Sequence, residues 1–151
     1  MNQNADPRPA PLRVLLVDGH PGVRAALLEA LDRAALVGSV AAVGTVRAAL
    51  AVLRELSPDI VICDPRTLAG SPPEIIACLS GSRSPLVVHT SSLDEGDGAR
   101  WARAGAAAVL LKGGDLSALL AQVAAASRRA SATLEAADGA PGPGPRGGPD
   151  A

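Results

Sequence analysis

The stretch LRVLLVDGHPGVRAALLEALDRAAL, residues 12–36, changes periodicity in the middle. Its first part, LRVLLV, is a short apolar run that ends at Asp18, as suits a strand buried on both faces. In the second part Val23, Leu27, Leu28 and Leu31 recur at helical spacing behind Pro21, whose fixed φ suits the first turn of a helix. The same order recurs in SVAAVG with VRAALAVLREL, DIVICD with SPPEIIACLSG, PLVVHT with DEGDGARWARAG, and AAAVLLK with DLSALLAQVAAASRRA. Five alternating strand–helix units predict an α/β fold: a doubly wound parallel sheet with helices on both faces. The fourth helix is the weakest of these units. Gly96 and Gly98 fall in its first turns, each costing about 1 kcal/mol relative to alanine, so the segment from Ser92 to Ala99 is expected to be the most mobile.

The 151 residues suit one domain, placed at 12–130 between a flexible N-terminal segment, 1–11, and a disordered Gly/Pro-rich tail, 131–151. Fourteen basic and 15 acidic residues give a net charge of -1, so no global field favours nucleic acid or an anionic membrane. With one Trp, no Phe and no Tyr, the core is expected to consist of Val, Leu, Ile and Ala. Cys63 and Cys78 lack metal or redox spacing and are read as reduced residues of a cytoplasmic protein. No signal peptide or membrane span is expected.

Ligands of open α/β sheets bind beyond the carboxyl ends of the strands. The residues at those ends are Asp18, Asp64, Thr90 and Lys112, the only lysine of the chain. Carboxylates suit a hard divalent cation, and an ammonium and a hydroxyl suit phosphoryl oxygens; one carboxylate could itself be a nucleophile. His20 reads as a turn residue and His89, inside an apolar run, as a hydrogen-bonded core histidine. Trp101 reads as packing.

Together LRVLLVDGHP, PDIVICDPR, PLVVHTS and RAGAAAVLLK resemble the receiver domain of two-component response regulators, in the branch usually joined to a helix-turn-helix output domain. The resemblance implies a flavodoxin-like (βα)5 fold with strand order 2-1-3-4-5. It also implies bacterial phosphorelay signalling, with Asp64 accepting a phosphoryl group from a histidine kinase and Thr90 and Lys112 contacting its oxygens. Mg²⁺ would be held by Asp18, Asp64 and the main-chain carbonyl of Arg66. Lys112 would face Asp64 as a compact point charge where a guanidinium would be too large.

Three positions depart from the family's pattern. Gly19 stands where a second acid is usual, which implies weak Mg²⁺ binding. Leu68 replaces a common proline, while Pro65 directly follows Asp64 and restricts it to an extended backbone. Val109 replaces the aromatic that commonly reports phosphorylation. The resulting expectation is an atypical single-domain receiver, not an enzyme, that signals through contacts with a kinase or other signalling protein. Homodimerisation through the fourth helix, fifth strand and fifth helix is a further expectation, without direct nucleic-acid or membrane contact. The alternatives are a phosphorylation-independent pseudo-receiver that docks or dimerises, and a small-molecule-binding domain that reuses the strand-end crevice.

Overall fold

The computed structural model describes residues 10–80 and 84–139. Its elements follow the expected order: β1 (Leu12–Val17), α1 (Pro21–Asp32), β2 (Val37–Val43), α2 (Val46–Glu55), β3 (Ile60–Cys63), α3 (Pro72–Leu79), β4 (Leu86–Thr90), α4 (Asp97–Ala104), β5 (Ala108–Leu111) and α5 (Leu116–Asp138). A single 3-10 turn, Pro65–Thr67, follows β3. The strands are all parallel in the order 2-1-3-4-5.

Helix starts follow from local chemistry. Pro21 begins α1, and the Thr45 hydroxyl caps α2 by accepting the Ala48 N–H at 3.2 Å. Glu74 reaches back to the Ser71 N–H at 2.6 Å to close the first turn of α3, and Asp115 accepts the Ser117 N–H at 3.0 Å to cap α5. α4 begins at Asp97, later than the apolar pattern suggested, because Gly96 takes a left-handed conformation with φ of 86° and ends the preceding turn.

β3 and β4 are buried at every position, and alternate residues of the sheet feed two cores. Leu15, Val17, Val61, Cys63, Leu86 and Val88 face α2, α3 and α4, where Trp101 closes the layer. Val14, Leu16, Ile60, Ile62 and Val87 face α1 and α5, against Leu31, Leu119 and Val123. Trp101 is thus packing, as expected, and both cysteines are free, with Cys63 buried and Cys78 half-buried.

α5 continues past residue 130, the expected end of the domain, to Asp138. The segment ASATLEAAD holds no glycine or proline, and its alanine content favours helix even without packing. The remainder of the expected tail, 140–151, and most of the expected N-terminal segment, 1–9, lie outside the described residues. Among the described residues no helix is long and apolar enough to cross a membrane.

Candidate functional site

Strand register assembles the site. Val17 pairs with Cys63, so Asp18 and Asp64 leave adjacent strands at the same level. Cys63 pairs with Val88 and Thr90 with Leu111, which sets Thr90 and then Lys112 progressively further out. A long side chain is needed at position 112 to reach back. Gly113, with φ of 86°, turns the chain immediately after it.

Lys112 closes a clasp across two carboxylates. Its Nζ lies 2.6 Å from Asp18 Oδ2 and 2.6 Å from Asp64 Oδ2. Asp18 and Asp64 are buried, 1% and 6% exposed, so solvent screens the clasp little. Each pair is worth about 6 kcal/mol gross at an effective dielectric of 20, most of it offset by desolvation. Burial pulls the Lys112 pKa down, but hydrogen bonds and charge from both carboxylates outweigh it and hold the ammonium above its usual value of 10.5. The clasp carries one surplus negative charge.

Main-chain and side-chain groups orient these carboxylates. Asp18 Oδ1 accepts the His20 N–H at 2.8 Å, and Asp64 Oδ1 accepts the Arg66 N–H at 3.0 Å. Asp64 has φ of -83° and ψ of 112°, the extended backbone that Pro65 imposes. The Arg24 guanidinium donates to the Asp18 carbonyl at 2.7 Å and would have to shift for any side chain at Gly44, where a Cβ would lie 2.6 Å from Arg24 Nη1. Thr67 Oγ1 accepts the Gly19 N–H at 2.8 Å.

Sequence reasoning missed Arg24 and Thr67. A cation in the first turn of α1 opposes the helix dipole and so needs a local acceptor; that was the available signal for Arg24. Thr67 had none, because its partner is 48 residues away.

The remaining expected residues are arranged differently. Thr90 is buried, and its hydroxyl donates to the Ser92 carbonyl at 3.2 Å rather than to any of the three members of the clasp. The Arg66 guanidinium donates to Ser92 Oγ at 3.0 Å. His89 is buried as expected, but not hydrogen-bonded as expected: its Nδ1 has no partner. Burial, then the charge of Lys112, pull its pKa below 6.5 against the opposing pull of Asp18 and Asp64. Burial, then the two carboxylates, push the Cys63 thiol up to about 12, so it stays protonated and is no ligand or nucleophile at neutral pH.

Asp64, Lys112, Gly19, Arg66 and Thr67 line an open cleft of ≈ 440 Å³ above the clasp. Among the described residues no group of three His, Cys, Asp or Glu side chains forms a metal cluster. Two carboxylates are hard-cation donors by type, with Lys112 already neutralising one charge.

A parallel five-stranded sheet with two acids and a lysine at its carboxyl edge defines the receiver class, and comparison with known sequences agrees. A model of the response regulator receiver domain matches residues 14–124, and the chain belongs to that family. Receiver domains are signalling domains of two-component systems, and they typically bind Mg²⁺ at the phosphorylation site.

Similar solved structures include the signal receiver domain of a putative LuxO repressor protein from Vibrio parahaemolyticus. It is 20% identical, with a TM-score of 0.70 over 87% of this chain and 99% of that one. A LuxR-family two-component response regulator from Aurantimonas is 25% identical, with a TM-score of 0.64 over 79% and 86%. The BeF3-activated N-terminal receiver domain of Klebsiella pneumoniae RstA is 23% identical, with a TM-score of 0.66 over 77% and 98%. No curated protein sequence is significantly similar.

Proposed function

We propose that the chain is an atypical receiver that accepts a phosphoryl group on Asp64. The supporting observation is the clasp: a buried carboxylate at a strand end, held at 2.6 Å by the chain's only lysine and open to a cleft. In the transfer an Asp64 carboxylate oxygen attacks phosphorus, a new O–P bond forms, and the P–N bond to the donor histidine breaks. The released ring nitrogen takes a proton. Lys112 stays charged and moves from carboxylate to phosphoryl oxygen. Thr90, released from Ser92, supplies a second contact.

Asp18, Asp64 and the Arg66 carbonyl would hold Mg²⁺, which when bound offsets negative charge on the phosphoryl oxygens. The donor set suits the ion by type but lacks the acid that Gly19 replaces, so binding is weak. Output runs through protein contacts of α4, β5 and α5, where Leu111 and Leu134 are exposed. A cytoplasmic location and a single domain running from β1 to the end of α5 at Asp138 complete the proposal.

Acetyl phosphate with Mg²⁺, followed by intact mass, tests the assignment. The parent gains one phosphoryl group and Asp64→Asn gains none. Beryllofluoride, the activating group in the RstA structure, should perturb the Asp64 amide in the parent only. Modification of Asp64→Asn to the parent's extent would exclude Asp64 as acceptor.

One observation favours a second function, a phosphorylation-independent docking module. Lys112 already occupies both carboxylates, so the site is neutralised by a side chain as far as one charge allows. A parent that stays unmodified under saturating donor and Mg²⁺, yet keeps its protein partner, would establish this function instead.

A further inference from the structure

A second cavity, of ≈ 450 Å³, lies between α1 and α5 beneath the end of β5, a volume typical of small-molecule sites. Its walls are mostly apolar, with Leu27 on α1 and Leu119 on α5, and His89 lines it from β4. His89 is 8% exposed and its Nδ1 has no hydrogen-bond partner. Buried polar groups nearly always have partners, so a polar ring without one beside an apolar cavity calls for an explanation. No hydrogen bond from Nδ1 fixes the ring, so a turn about χ2 that brought this nitrogen to the cavity would break no hydrogen bond of its own.

The surroundings select the ligand. The neighbouring Asp18, Asp64 and Lys112 carry a surplus negative charge, which disfavours an anion. Of the charged residues lining the cavity, Asp115 is already engaged by the Ser117 N–H and hydroxyl and Lys112 repels a cation, so a cation gains little for its desolvation among walls that are otherwise mostly apolar. An uncharged hydroxyl can donate or accept, so it satisfies Nδ1 in either tautomer of a neutral imidazole. We propose that this cavity binds a small uncharged amphiphile, its hydroxyl paired with His89 and its apolar body between Leu27 and Leu119. Val23, Lys112 and Gly113 line both this cavity and the cleft at Asp64, so an occupant touches the stem of the clasp lysine.

Titrating the ¹⁵N-labelled full chain with 4-ethylphenol, and separately with ethylbenzene, tests the site by NMR. Saturable shifts are expected at the Gly113 and Gly114 amides and at the His89 ring nitrogens. 4-Ethylphenol should bind about tenfold tighter than ethylbenzene, the worth of one hydrogen bond. His89→Phe should erase that preference while leaving ethylbenzene binding in place. Ala26→Trp, at an exposed α1 position on the cavity wall, should abolish binding of both probes without unfolding the domain. Shifts that never saturate, equal affinity of the parent for the two probes, or binding unchanged by Ala26→Trp would each overturn the proposal. Neither phosphorylation nor Mg²⁺ enters these measurements, so their outcome is independent of the role of Asp64.

Discussion

At the carboxyl edge of the sheet Asp18, Asp64 and Lys112 converge on one another, whereas Thr90, at the same edge, turns away to Ser92. Strand alternation accounts for the difference. Leu16, Ile62 and Leu110 pack toward α1 and α5, and continuing each strand by two residues puts Asp18, Asp64 and Lys112 on that side. Thr90 follows Leu86 and Val88, which pack toward α3 and α4. The charged half is therefore assembled in the fold as it stands. The hydroxyl half has to move to take part.

The largest expected effect comes from removing the cation of the charged half. Lys112→Met leaves two buried carboxylates side by side, and breaking a buried pair costs about 3–5 kcal/mol. Urea denaturation at pH 7 should show a loss in that range. Mg²⁺ should stabilise Lys112→Met more than the parent, because the ion no longer competes with an ammonium. Equal responses to Mg²⁺ would mean that the clasp does not obstruct the metal. In the parent the Lys112 pKa is raised, so its stabilising contribution is complete below the unfolded value of 10.5 and is lost only as pH climbs through the folded value above it.

Next in size is Gly19→Asp, which adds a third carboxylate to the charged half. Changes in the surroundings of a metal site typically alter affinity about 10- to 100-fold, and a direct ligand should reach at least that range. The structure adds a condition that spacing alone did not reveal. A Cβ at Gly19 would lie 3.3 Å from Thr67 Oγ1 and 3.6 Å from the Gly44 carbonyl, so Thr67 must give way. Calorimetric titration should therefore show tighter Mg²⁺ binding in Gly19→Asp with Thr67→Ala than in Gly19→Asp alone. The same affinity in both would remove Thr67 from the account.

The contrast also marks what the chain discloses before it folds. Apolar runs alternating with helical spacing carry the five strand–helix units, and the polar residue closing each run carries the edge, because both depend on neighbours within one unit; the strand order, which pairs distant units, came with the family resemblance. Strand alternation could have separated Thr90 from Lys112 as well. Contacts joining distant units are of another kind: Thr67 to Gly19 spans 48 residues and Arg66 to Ser92 spans 26, and no local pattern announces them. The unpartnered Nδ1 of His89 depends on what α1 and α5 fail to offer it. The end of α5 was legible in the unbroken ASATLEAAD, but the nearby Gly/Pro run drew the boundary too early.

Thr90→Val removes the hydroxyl while keeping the shape. Losing one hydrogen bond should cost about 1 kcal/mol in urea denaturation, well below the effect at Lys112. If Asp64 is the acceptor, the same variant should shorten the lifetime of the phosphoryl group, read by intact mass over time. A stability loss as large as that of Lys112→Met would show that the hydroxyl half is as firmly built as the charged one.

The smallest effect is a titration, and it reports on the clasp from outside it. His89 faces the same side of the sheet as Lys112, and the charge of Lys112 is the second influence, after burial, that lowers its pKa, while Asp18 and Asp64 act the other way. In the parent His89 should titrate below 6.5, and His20, which is exposed, gives a separate signal in the same spectrum. Lys112→Met removes the lowering charge and keeps both raising ones, so the His89 resonance should move to a higher midpoint. Mg²⁺ adds positive charge at the carboxylates and should move it down. The stability consequence has a definite sign. A histidine whose folded pKa lies below the unfolded 6.5 binds fewer protons folded than unfolded, so stability falls as pH drops through 6.5 and levels off below the folded value. His89→Phe should flatten that decline in a series of urea titrations. A His89 midpoint that ignores both the loss of Lys112 and the addition of Mg²⁺ would mean that the ammonium does not sit between the two carboxylates in solution.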